Sequence, residues 1–99
     1  MLLLVGHFRL PPENVAAAQD AFALIIAASR AEPGCLAYSF GEDVLDPGLF
    51  RVAETWVDRA ALDVHYASPH MATFRREREA LGMTEREIDL YEVGEPEAV

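Results

Sequence analysis

Proline-bearing breaks at Pro11-Pro12, Pro33-Gly34, Asp46-Pro47-Gly48 and Ser68-Pro69 cut this chain into pieces, each long enough for one element or a tight pair. The apolar run from Leu2 to Leu10, closed by the double proline, reads as a buried strand. The prolines then open a helix, because the first helical position needs no N–H and proline's φ already suits it. From Glu13 to Glu32, Val15, Ala18, Phe22, Ile25, Ile26 and Ser29 recur at helical spacing and make one apolar face. Pro33-Gly34 stops that helix. In CLAYSFGEDV, Leu36, Tyr38 and Phe40 alternate with the smaller Cys35, Ala37, Ser39 and Gly41, which is a strand signature. After the Asp46-Pro47-Gly48 turn, FRVAETWVD alternates again, so the two runs pair as a hairpin. Arg59–Ala67 and Pro69–Leu81 read as two short helices parted at Ser68-Pro69, and EIDLYEV as a last strand.

The order strand, helix, strand, strand, broken helix, strand is that of an α+β, ferredoxin-like βαββαβ fold, an antiparallel sheet with its helices on one face. Several strands carry Leu, Val, Phe or Tyr on both faces, so the face without helices is expected to meet a second copy in a homodimer. At 99 residues there is room for one domain, residues 1–94, followed by an acidic tail, residues 95–99. Seventeen acidic against eight basic side chains give a net charge of -9, the wrong sign for a nucleic-acid backbone or an anionic membrane surface. Arg75, Arg76 and Arg78 alternate with Glu77 and Glu79 and read as a solvated helix face. A single cysteine, Cys35, makes no internal disulfide. MLLLVGHFRL is too short to span a membrane and lacks a basic start and a cleavage site. The expectation is a cytoplasmic protein.

Among residues that can carry chemistry, Glu54 shares a strand face with Val52 and Trp56. Covered, its carboxyl is desolvated and becomes a base; otherwise it pairs with an arginine or crosses a dimer interface. Trp56 fits either core filler or the wall of an aromatic pocket. Ser68 before Pro69 fits an N-cap before a first helical residue, without the glutamate of a full capping box. His70 then lies in a first turn, where the helix dipole disfavours its cation, and His65 in a last turn, where the dipole favours it. No metal site is expected: His65 and His70 stand five apart across a break, outside the spacing of one helix face, and Cys35 is alone. No dinucleotide, phosphate-loop or nucleophile-elbow motif is present.

The stretches EPGCLAYSF, DPG, AETW and HYASPHMATF together resemble the antibiotic biosynthesis monooxygenases, small dimeric α+β barrel proteins, over the whole chain except the tail. The resemblance implies sheet-to-sheet dimerisation and a pocket between sheet and helices. It also implies oxygenation of an aromatic quinol or anthrone by O2 with no metal, flavin or other cofactor, since the deprotonated substrate supplies the electrons. His65 corresponds to a candidate base, Tyr38 to a hydrogen-bond donor, and Trp56 and Phe74 to pocket walls. His70 is a further pocket candidate, and Glu54 matches a recurrent acid of unassigned role. Haem-degrading relatives carry a pocket asparagine where this chain has His7, and its only asparagine, Asn14, opens a helix, so haem degradation is disfavoured. Two alternatives stand beside the monooxygenase: a non-catalytic dimer that binds a planar small molecule, and an isomerase of a small phosphorylated ketone using Arg9, Arg51 or Arg59.

Overall fold

A computed structural model describes residues 1–99, and the ferredoxin-like order is present in it. Strand β1 (Leu2–Arg9) leads through a single 3-10 turn at Pro12–Asn14 into α1 (Val15–Arg30). The hairpin β2 (Cys35–Glu42) and β3 (Leu49–Trp56) precedes α2 (Arg59–Tyr66), α3 (Pro69–Ala80) and β4 (Thr84–Glu92). The strands pair antiparallel in the order β2-β3-β1-β4. Period two then sends Leu2, Leu4 and Phe8 of β1, and Phe50, Val52, Glu54 and Trp56 of β3, to the face under the helices, where all are buried. Against them α1 lays Ala18, Ala21, Phe22, Ile25 and Ser29, close to the face expected from spacing. Phe8 stacks on Phe50 at 5.3 Å between centroids and meets Phe22 and Phe40 edge-on at 5.7 and 5.4 Å. Such contacts add about 0.5–1.5 kcal/mol per pair beyond area burial.

Both helix breaks are built as the residues dictate. Ser68 Oγ accepts from the Met71 N–H at 3.3 Å and donates to the His65 carbonyl at 2.6 Å, so one hydroxyl joins the end of α2 to the start of α3. Asp58 caps α2 in the same way through the Ala61 N–H. In the hairpin turn, Gly48 has φ +88°, and its carbonyl accepts from the Leu10 N–H at 2.9 Å.

Two bulges depart from simple alternation. Pairing shifts between Cys35 and Ala37, so Cys35 keeps the core side while Leu36, expected beside Tyr38 and Phe40, is 56% exposed. On the other edge the β1–β4 register shifts between His7 and Arg9, and Glu85 takes a left-handed φ of 50°. The last strand therefore begins at Thr84, ahead of the expected Glu87. The sheet face away from the helices is bare and carries Leu3, Val5, His7 and Tyr91. Residues 93–99 belong to no helix or strand, and no helix is long and apolar enough to cross a membrane.

Candidate functional site

Between the sheet and the α2–α3 pair lies a small cavity. Phe8, Tyr38, Phe40, Val52 and Glu54 line it from the sheet, and His65, Tyr66, Met71, Phe74 and Arg78 from the helices. Arg86 and Ile88 of β4 complete the wall. The space is about 20 Å³, room for roughly one water. A ring system of ligand size needs on the order of 300 Å³, so it enters only when lining side chains swing aside. The unbranched Met71, Met83 and Arg78 are the flexible ones among them.

His65 is the centre of the site. It is 1% exposed, packed against Trp56 at 4.5 Å and Tyr38 at 5.6 Å between ring centroids. Its Nδ1 lies 2.6 Å from Glu32 Oε2, in the turn that ends α1. With Glu32 ionised, Nδ1 carries the proton and donates it to the carboxylate, and Nε2 keeps its lone pair. Nε2 makes no hydrogen bond within the chain, so it is the nitrogen left for the cavity. The helix-end dipole, which favours the cation, is opposed here. Burial pushes the imidazole below its usual range, and the bond and charge of Glu32 only partly pull it back. His70 stands on the outer side of the same carboxylate, Nε2 3.3 Å from Glu32 Oε2, and does not line the cavity.

Glu54 faces the cavity with an unusual partner. It makes no ion pair with an arginine; instead the Trp56 indole N–H donates to its Oε1 at 3.1 Å. Burial pushes the Glu54 carboxyl above its usual range, opposed by that bond and by the charge of Arg86. Tyr38 is buried, and desolvation together with the Glu54 charge raises its phenol far above the usual value, so it stays protonated and can donate. Phe74 is among the residues that line the cavity. Trp56, expected as a wall, is fully buried behind His65 and does not reach the space. His7, expected at the pocket, is on the opposite sheet face with Nε2 3.6 Å from Glu87.

Three residues of the site were not singled out from sequence. Glu32 looked like the polar end of a helix before Pro33-Gly34. Arg78, read as part of a solvated face, lines the cavity, and burial lowers its pKa, helped by the charges of Arg86 and Arg75. Arg86 shares the alternation of Ile88 and Leu90, which pack on the core, and reaches the cavity rim from an exposed position that precedes the expected start of the last strand. The arginines considered for phosphate are elsewhere: Arg9 is held by Asp46 and Glu85 at 2.8 Å each, Arg51 by Asp43, and Arg59, the first residue of α2, does not line the cavity.

Taken together, fold and site define a small ferredoxin-like domain whose sheet and helices enclose an aromatic cavity with a carboxylate-bound histidine in its wall. The family described as antibiotic biosynthesis monooxygenase matches residues 1–77, and this chain belongs to that family. A solved Deinococcus radiodurans protein, assigned provisionally as an antibiotic biosynthesis monooxygenase, is 30% identical with a TM-score of 0.91 over 100% of this chain and 98% of its own. PA3566 of Pseudomonas aeruginosa is 35% identical with a TM-score of 0.82, covering 94% of each chain. The uncharacterized protein sll1783 of Synechocystis is 31% identical over 98 residues, 99% of this chain and 67% of its own length.

Proposed function

We propose that this protein is a cofactor-independent monooxygenase of an aromatic quinol or anthrone-like molecule, with His65 as general base. The observation that carries the reading is the 2.6 Å contact of His65 Nδ1 with Glu32, which fixes the tautomer and leaves Nε2 to an aromatic cavity. Nε2 takes the acidic proton of the bound substrate, leaving an electron-rich anion. The developing negative oxygen is stabilised by the buried Tyr38 hydroxyl, with the guanidiniums of the half-buried Arg78 and the exposed Arg86 at the cavity rim adding positive charge. The anion reduces O2 and forms a carbon–oxygen bond. The resulting hydroperoxide breaks its O–O bond: one oxygen stays on carbon as a carbonyl, and the other leaves as water with the two hydrogens lost from the substrate. All electrons come from the substrate. Phe8, Phe40 and Phe74 supply flat apolar walls for its rings.

The test is turnover of a quinol and anthrone panel with dissolved oxygen measured in parallel. Oxygen uptake matching product, lost anaerobically and reduced about 100-fold or more in His65→Ala, is the expected result. Equal product with and without O2, or full activity in His65→Ala, removes the reading. Saturable binding of a planar aromatic without turnover points to the non-catalytic dimer instead. We also infer that a second copy covers the bare sheet face. Leu36, Val57 and Tyr91, at 56, 44 and 50% exposure, leave an apolar surface there that self-association buries.

A further inference from the structure

The reaction proposed above uses one face of His65; its other face belongs to a cluster with a second capability. One ligand atom each from Glu32, His65 and His70 lies within 4.8 Å of the other two. We propose that this cluster binds a late first-row divalent cation of the zinc class, through His65 Nδ1, His70 Nε2 and Glu32 Oε2. Two imidazoles and one carboxylate are the donors such cations take, and three protein ligands leave a fourth tetrahedral position for water.

Two of the three ligand-to-ligand distances are near what coordination needs, and the third, between the two imidazole nitrogens, lies within 4.8 Å and closes by rotation of the partly exposed His70. Bonds of about 2.0 Å at tetrahedral angles set ligand atoms roughly 3.3 Å apart. His70 Nε2 and Glu32 Oε2 already stand at 3.3 Å. His65 Nδ1 and Glu32 Oε2, at 2.6 Å, must part by roughly 0.7 Å, which replaces a hydrogen bond by a shared cation. The spacing of five between the histidines, too long for one helix face, is bridged because the Ser68-Pro69 break turns α3 back toward α2. Ser68 Oγ, bonded to both the His65 carbonyl and the Met71 N–H, holds that break. Access comes from the outer side, where the His70 side chain is 28% exposed and that of Glu32 12%.

Binding there switches the site. In the metal-free chain the one proton of neutral His65 sits on Nδ1. Coordination at Nδ1 leaves that proton on Nε2, so the lone pair facing the cavity is lost and the proposed base is blocked. The cation is therefore an inhibitor of the proposed oxygenation, although its binding does not depend on that activity.

The experiment titrates the full metal-free chain, without substrate, with Co2+ followed by visible absorption and with Zn2+ by calorimetry. Expected are one equivalent per chain, the intense visible bands of four-coordinate cobalt, and affinity weakened about tenfold or more in both His70→Ala and Glu32→Gln. His70 is partly exposed, so its variant tests the site without a cavity in the core. His7→Ala, which removes the separate His7–Glu87 pair, leaves binding unchanged. Weak six-coordinate cobalt bands, unchanged affinity in His70→Ala, or loss of binding in His7→Ala overturns the proposal. Because no turnover is measured, this result and that of the oxygen assay are independent.

Discussion

Glu54 holds its carboxyl between Leu4 and Tyr38 on neighbouring strands, with only the Trp56 N–H to satisfy it. Burial lifts the folded pKa above the unfolded one, so the folded state holds this proton more tightly. The residue's contribution is thus complete below the ordinary carboxyl range and is lost as pH rises through the raised folded pKa. Glu54→Gln keeps an acceptor oxygen for Trp56 and removes that loss. Denaturant titrations are expected to show the variant more stable than wild type at pH 7, with the gap closing toward about pH 4; a gap independent of pH contradicts the assignment. Glu32 acts one step further out, through His65. Its replacement by Gln is expected to lower kcat about tenfold or more while KM changes little, because the substrate still meets the same walls. An unchanged kcat in Glu32→Gln shows that the carboxylate does not position the imidazole.

At the scale of elements, the breaks at Pro11-Pro12, Pro33-Gly34, Asp46-Pro47-Gly48 and Ser68-Pro69 separated most of the elements, because proline and glycine act locally and leave their mark in sequence. Changes of hydrophobic period marked the β3–α2 and α3–β4 boundaries. Bulges leave no such mark. Simple alternation puts Leu36 on the face of Tyr38, and the shift after Cys35 sends it to the other face. Arg86 alternates with Ile88 and Leu90, but it precedes Glu87, where the last strand was expected to begin, and so had no face assigned to it. The histidines were legible as candidates but their surroundings were not: burial works against the helix dipole at His65, and Glu32 meets both rings only through tertiary folding. Close approach of β1 and β4 makes a sharper prediction. A Cβ on Gly6 would lie 1.9 Å from the Glu87 carbonyl oxygen and 2.6 Å from Ile88 Cα, both backbone atoms. Gly6→Ala is therefore expected to cost about 1–3 kcal/mol, read as a lower denaturation midpoint; an unchanged midpoint contradicts the tight pairing.

The whole molecule is a slab measuring 39 × 33 × 19 Å, its thin axis being one sheet plus one layer of helices. Two layers leave one sheet face open, and its apolar residues set the expected assembly. Sedimentation at micromolar concentration should give twice the 10.9 kDa chain mass, and Leu36→Asp should return it to the monomer; a monomeric wild type contradicts the inferred interface. The closed layer bears the chemistry, where the proposed oxygenation and the proposed cation site share a single imidazole. The protonation of that ring tests the arrangement most directly. Nitrogen NMR of the uniformly labelled, metal-free protein at neutral pH is expected to show His65 with a protonated Nδ1 and an unprotonated Nε2. A proton on Nε2, or a fully protonated ring, would contradict the carboxylate-held base.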